Sequence, residues 1–272
     1  MTALVGRVAL GVAAMSFAPR DRSVDLATIR DGIAAGVAIL DTARAYTRVD
    51  VQTYGEELAA EAALGSGVLV GTKGGHSRTS ENTWDADISA DRIRADVDTS
   101  LRAFGREQLD LYYLHRVDLA EQPVEEGVAA LASLRDAGKV ARIGLSNVTV
   151  AELDRAASVT QIDAVQNQHS AMGRESAAVL AWCEAHNVPF FAYSPLRHSA
   201  AAPQLTAIAA ARGLSLQRLQ LRALLESSPV LSVVSGATRP TTVLDSFAAE
   251  SDPWDNDLQS AYAADLAHLK LN

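Results

Sequence analysis

Asp41, Lys73 and His115 each stand where a short apolar run stops, at Val37–Leu40, Val68–Thr72 and Leu109–Leu114. Tyr46 lies five residues past Asp41, in the loop that must follow. A lysine directly after an apolar strand needs a carboxylate partner, because an unpaired ammonium away from water is costly, and Asp41 is the candidate. The four side chains together suit proton donation to a carbonyl oxygen. A tyrosine with the ordinary pKa of about 10 is a poor acid at neutral pH. A neighbouring ammonium would stabilise the phenolate and bring that pKa below its usual value, while a histidine hydrogen-bonds the same substrate oxygen. Lys73 could instead act as a Schiff-base nucleophile, in a lyase, but Asp41 would keep it charged.

Residues so far apart meet only if the fold gathers strand ends on one side. The chain alternates short β-rich runs with longer amphipathic segments. Strands are expected at Arg7–Val12, Val37–Asp41, Val68–Thr72, Leu109–Leu114, Ala141–Ser146, Ala164–Gln166, Pro189–Tyr193 and Val230–Ser235. Most are continuously apolar, as parallel strands buried on both faces are. Between them, Ile93, Val97 and Leu101 make a helical stripe over Ser89–Phe104, with Ser89 placed to cap it and Gly105 to end it. Pro123 fits the first turn of the next helix, and Gly138 ends it. Ser176–His186, Leu205–Gly213, Gln217–Ser227, Pro240–Ala249 and a last helix near Asp257–Leu271 follow. Eight strand–helix units without a linker or repeat predict a single-domain (β/α)₈ TIM barrel over 1–272, with the last helix outside it. A doubly wound open sheet is the alternative. In a barrel the C-terminal strand ends share one rim, where sites of this fold are assembled. Ser146-Asn147, Gln166 and Tyr193 end three further strands and join the set.

Composition narrows the partners. The 272 residues carry a net charge of −9, which disfavours nucleic acid and anionic membrane, and the 48% hydrophobic fraction suits a large core. The single cysteine, Cys183, fits a reducing, cytoplasmic setting. Ala3–Ala18 resembles the apolar part of a signal peptide, but Arg7 interrupts it and no basic stretch precedes it, so a first buried strand is expected. No run of the roughly 18 apolar residues of a membrane span is present. His76, His169 and His198 lack metal-ligand spacing, so no metal is expected.

At this point the chain resembles the aldo-keto reductase family, from Arg7 to about Ala249. Asp41-Thr42-Ala43-Arg44-Ala45-Tyr46 is similar to the family's Asp-Thr-Ala-x-x-Tyr. Gly71-Thr72-Lys73 and Asp110-Leu111-Tyr112-Tyr113-Leu114-His115 resemble the strands carrying its catalytic lysine and histidine. The resemblance implies an NAD(P)H-dependent carbonyl reductase or alcohol dehydrogenase acting on a small-molecule carbonyl, with Tyr46 as general acid, tuned by Lys73 and Asp41, and His115 orienting the carbonyl. It further implies that Gly144-Leu145-Ser146-Asn147 and Val165-Gln166-Asn167 place Ser146, Asn147 and Gln166 on the nicotinamide carboxamide. Tyr193 would stack on the nicotinamide, and Ser194-Pro195-Leu196 would follow the pyrophosphate. The loop Ser235, Gly236, Ala237, Thr238, Arg239, with Thr242 beyond it, would hold the adenosine end. The nucleotide would lie extended along the rim, which agrees with Gly65-Ser66-Gly67 preceding a strand, the wrong context for a dinucleotide turn.

Three departures stand out. Tyr46 is followed by an extra stretch, Thr47–Val51, where the family continues into a Gly and a short helix lead; Tyr54-Gly55-Glu56 resembles that continuation displaced, which leaves Tyr54 as the alternative proton donor. Gln166-Asn167 continues as Gln168-His169. Thr242 and Ser246 stand where the family often has arginine and asparagine for the adenosine phosphate and the adenine. The preference implied is NADPH, through Arg239, with NAD possible. A non-catalytic, nicotinamide-binding regulatory module is the remaining alternative. Trp84 could wall the substrate or pack on the barrel; Trp182 and Trp254 read as packing residues. The loops Gly74–Asp87 and Arg197–Gln204 are expected to be short and to border the substrate.

Overall fold

The computed structural model describes residues 6–17, 20–48, 51–80 and 83–269. Among them, eight strands close a parallel barrel: β1 (Val8–Gly11), β2 (Ile39–Asp41), β3 (Leu69–Gly74), β4 (Leu111–Leu114), β5 (Ile143–Ser146), β6 (Ala164–Gln168), β7 (Phe190–Tyr193) and β8 (Leu231–Gly236). Each pairs with its neighbour in chain order, and β8 closes on β1 with Gly11 opposite Gly236. Every expected strand is present, with ends displaced by one or two residues, and the open sheet is excluded.

The barrel interior is packed by Ala9, Ile39, Leu111, Tyr113, Ala164, Phe191 and Val234. Large rings are matched by small neighbours. A Cβ on Gly144 would sit 2.3 Å from the Tyr113 ring, so β5 needs glycine where Tyr113 fills the lumen. A larger apolar layer lies between strands and helices, with Leu58, Ile93, Val97, Val128, Leu131, Leu153 and Leu224 buried in it. Arg7, which broke the first apolar run, turns its guanidinium onto the carbonyls of Leu225, Ser228 and Leu231, near the start of β8. That is how a charged residue precedes a buried strand.

Helix Ala90–Phe104 ends on Gly105 at φ 59°, as expected. Its start is capped differently. Ser89 occupies the cap position but its side chain makes no cap bond; the Ala90 N–H donates to Glu126 instead, and the Ser89 N–H to Asp87. Pro123 is the cap residue before Val124–Asp136, not a member of its first turn. Four helices among the described residues had not been anticipated: the short Ala13–Ser16, then Arg22–Ala34, Tyr54–Ala63 and Val150–Val159. The last carries a Thr149–Glu152 capping box, a signal present in the sequence. The C-terminal helix, Asn256–Leu269, packs outside the barrel on Pro203–Arg212, whose first turn it caps through buried Asp265. The rest of its expected span, to Leu271, and parts of the stretches Ala3–Ala18 and Thr47–Val51 lie outside the described residues. No helix among the described residues is long and apolar enough to cross a membrane.

Gly74–Asp87 is not a plain loop. His76–Arg78 and Trp84–Ala86 form an antiparallel hairpin at the C-terminal rim, beside the end of β3.

Candidate active site

The barrel brings the four sequence-selected residues together. Lys73, fully buried near the end of β3, donates to Asp41 Oδ2 at 2.7 Å, to the Thr42 carbonyl at 2.8 Å and to the Tyr46 hydroxyl at 3.4 Å. Each ammonium hydrogen thus has an acceptor. The other Asp41 oxygen accepts from Gln166 Nε2 at 2.7 Å. Gln166, expected on the nicotinamide, thus bonds the same carboxylate that holds Lys73. The Tyr46 and His115 rings meet edge to face, 5.9 Å between centroids.

Electrostatics refine the expectation for Tyr46. Burial raises the phenol above its usual pKa and outweighs the lowering by Lys73, so the expected depression is not what this geometry gives. Tyr46 stays a phenol at neutral pH, the form that can donate. Lys73 is held above the usual lysine value: burial pulls it down, but Asp41 and Tyr46 together pull it further up. A lysine so charged and so fully hydrogen-bonded is a poor Schiff-base nucleophile. Burial, with Lys73, His76 and Arg116 nearby, drives His115 well below the usual histidine range. A neutral His115 can offer an N–H to a substrate oxygen without transferring a proton.

The extra stretch after Tyr46 leaves this group intact. The Gly55 N–H donates to the Tyr46 carbonyl at 2.8 Å, and a Cβ on Gly55 would lie 2.7 Å from Tyr46 Cβ. Glycine follows tyrosine in space although eight residues intervene. Tyr54 is buried at the start of its helix under the Arg48 guanidinium, 3.7 Å from the ring centroid, whereas the phenol that Lys73 reaches is Tyr46. Sequence reasoning passed over the tether of this loop. The Arg44 N–H donates to the Lys73 carbonyl, and its guanidinium lies between Glu56 at 3.4 Å and Asp96 at 3.9 Å. Buried Glu56 also accepts from Thr72 and Ser100, at 2.7 and 2.6 Å.

Above the four residues lies a cavity of about 380 Å³, lined among others by Asp41, Tyr46, His115, Ser146, Asn147 and Gln166. It continues past Tyr193, Ser194 and Pro195 into a second space of about 470 Å³ bounded by Leu196, Arg197, Ser235 and Gly236. Together they make a long groove of the size that holds a cofactor. Asn147 is set at φ 59° and fixed by bonds from its Nδ2 to the His115 carbonyl and from the Tyr193 hydroxyl to its Oδ1, 2.9 and 2.6 Å. A Cβ on Gly236 would meet nothing within 4 Å, so the backbone is open to a ligand there. Ser235 lines the groove, but its hydroxyl is turned onto buried Ser246 at 3.0 Å. Ala237 is buried, Thr238 and Thr242 are half-buried, and Arg239 is exposed at the cap of helix Pro240–Ala248. The Thr238 carbonyl accepts from Arg20 at 2.9 Å.

Trp84 projects from the hairpin, 45% exposed, stacked on His76 at 5.1 Å and edge-on to Phe17 at 5.9 Å. Phe17 in turn meets Tyr46, and His76 meets His115. Trp84 is thus part of an aromatic rim around Tyr46. Trp182 and Trp254 are packing residues, the first bonded to Asp154 and the second against Tyr262. Arg116, not singled out from the sequence, also lines the cavity.

The family model described as Aldo/keto reductase family matches residues 7–260. The chain is 30% identical over 262 residues to pyridoxine 4-dehydrogenase of Escherichia coli, covering 89% of this chain and 88% of that one. It is 29% identical over 225 residues to an uncharacterized oxidoreductase of Schizosaccharomyces pombe, covering 81% and 72%. Among solved structures it resembles the glycerol dehydrogenase of Gluconobacter oxydans, with a TM-score of 0.84 at 23% identity over 98% of this chain and 93% of that one. It also resembles an aldo/keto reductase from Klebsiella pneumoniae solved with NADP and acetate, with a TM-score of 0.78 at 24% identity over 97% and 90%.

Proposed function

Because the chain belongs to the aldo/keto reductase family, we propose that it reduces an aldehyde or ketone to the alcohol with NADPH, Tyr46 being the proton donor. The observation that carries this is the Asp41–Lys73–Tyr46 chain of contacts, 2.7 and 3.4 Å, ending on a phenol that lines a groove. Bound NADPH would supply a hydride to the carbonyl carbon. Ser146, Asn147 and Gln166 would hold its carboxamide, Tyr193 its nicotinamide face, Ser194–Leu196 its pyrophosphate and the loop 235–239 its adenosine end. As negative charge gathers on the substrate oxygen, the Tyr46 O–H donates its proton there, and the neutral imidazole of His115 hydrogen-bonds the same oxygen. Lys73, charged and held by Asp41, stabilises the phenolate left behind until solvent reprotonates it. In the reverse direction the phenolate accepts the proton of an alcohol. A catalytic group this complete favours an enzyme over a cofactor-binding regulatory module.

The named E. coli relative acts on a pyridine-ring alcohol, which makes pyridoxal and benzaldehyde suitable first substrates. NADPH oxidation should require one of these aldehydes and should vanish in Tyr46→Phe. Absence of NADPH oxidation, together with a borohydride-trapped substrate adduct on Lys73, would replace this reading with the lyase.

A further inference from the structure

We propose that the substrate carries a carboxylate as well as its carbonyl, and that Arg116 binds that carboxylate. The inference rests on the carbonyl-reductase reading and adds the substrate's charge. Arg116 follows His115 past the end of β4 and lines the same cavity as Tyr46, His115 and Asn147. Among the described residues lining that cavity it is the one cation. Its side chain is 33% exposed, so a molecule in the groove reaches it.

The guanidinium is already oriented. Its Nε and Nη2 each donate to the Asp118 carboxylate at 2.8 Å, a two-point pairing that fixes its plane. That uses two of five N–H donors and leaves the Nη1 edge for a second acceptor. Asp118 is 42% exposed, and water competes for an ion pair so placed, so it can yield to or share Arg116 with an incoming carboxylate. The planar fork of an arginine matches a carboxylate as a lysine does not. The surroundings give the cation weight. His115 and His76 are both held below the usual histidine pKa, with Arg116 among the causes, so the imidazoles facing it are neutral and the positive charge on this flank is its own. Asp118 is the carboxylate that opposes it, and the Tyr193 phenol, raised by burial, is uncharged. The chain as a whole is at −9, so an acidic substrate enters against the general field and gains most from a local cation. The aromatic rim of Trp84 and Phe17 is available to the apolar body of the same molecule.

The test compares para-carboxybenzaldehyde with its methyl ester, which keeps the ring and the aldehyde and removes the charge. Wild type should show kcat/KM higher for the acid by roughly tenfold to a hundredfold, the range of a charge-assisted bond, mainly through KM. The advantage should shrink as ionic strength rises. Arg116→Met should bring the ratio near one, and Asp118→Asn, which frees the guanidinium, should increase it. Reduction of both aldehydes by wild type with no preference for the acid, or with the ester preferred, overturns the inference and leaves the reductase reading standing. Failure of wild type to reduce either with NADPH overturns both. An acid preference that Asp118→Asn lowers would also overturn it, since Asp118 and the substrate would then not compete.

Discussion

Lys73→Met separates what the buried ion pair does for the fold from what it does for the reaction. The substitution keeps an unbranched side chain of similar length and removes the ammonium. Asp41, 4% exposed, then retains the Gln166 amide as its hydrogen bond but loses its counter-ion at 2.7 Å. Removing one partner of a buried pair costs about 3–5 kcal/mol, because the survivor's charge is stranded. For a chain of this size that corresponds to a fall in Tm of roughly 6–20 °C. Asp41→Asn combined with Lys73→Met leaves no charge to strand, so the double variant should regain most of the lost stability. It should regain no activity, because the role proposed for Lys73 is to stabilise the Tyr46 phenolate. Thermal unfolding followed by circular dichroism, beside NADPH oxidation with benzaldehyde, measures both. A single variant as stable as wild type, or a double variant no more stable than the single one, would refute the buried charged pair. A double variant that reduces benzaldehyde would refute the role of Lys73.

Tyr46→Phe should lose at least the roughly 10²–10⁴-fold that a general acid contributes while still binding NADPH, as fluorescence titration can show. Tyr54→Phe should keep activity, because the phenol that Lys73 reaches is Tyr46, and should cost little stability, because the ring stays packed against Arg22 and Arg48. With Tyr46 raised above its usual pKa, kcat/KM for reduction should hold across neutral pH and fall only above about pH 10, while alcohol oxidation, which needs the phenolate, should rise with pH. With His115 far below the usual histidine value, an activity limb near pH 6.5 that disappears in His115→Gln would contradict the assignment. Arg239 is exposed at the cap of its helix, where free N–H groups and a partial positive charge favour a phosphate. Its guanidinium should favour NADPH over NADH roughly tenfold to a hundredfold, and Arg239→Ala should remove most of that; equal dissociation constants in wild type would place the discrimination elsewhere.

The barrel was legible because a strand buried on both faces must be apolar throughout, and Asp41, Lys73 and His115 stood out as the polar ends of such runs. The hairpin was not, since His76-Ser77-Arg78 and Trp84-Asp85-Ala86 show no apolar alternation. It is held by the stack of His76 on Trp84 and by Arg92, which reaches Ser77 and Asp85 from the following helix. Helix Arg22–Ala34 escaped notice because Asp25 and Thr28 are among its buried residues, which blurs the stripe. The direction of the Tyr46 shift was missed for a related reason. The neighbouring cation can be inferred from a motif, but the depth of burial that outweighs it belongs to the folded rim. Ser235 shows the same limit: its place along the groove followed from its strand, while its hydroxyl's turn toward Ser246 did not.

The contact between Tyr46 and Gly55 has an evolutionary consequence. Because the chain leaves and rejoins the barrel rim at nearly one point, the residues between them form an excursion whose ends are already closed by a hydrogen bond. Doubling the length of a flexible loop costs only about 0.6 kcal/mol in closure entropy. Residues can therefore be gained or lost there while the phenol keeps its place, so the excursion is a port through which a lineage, or an engineer, can change what stands beside the active site without touching the chemistry. Gly55 itself has no such freedom: any side chain would press on Tyr46.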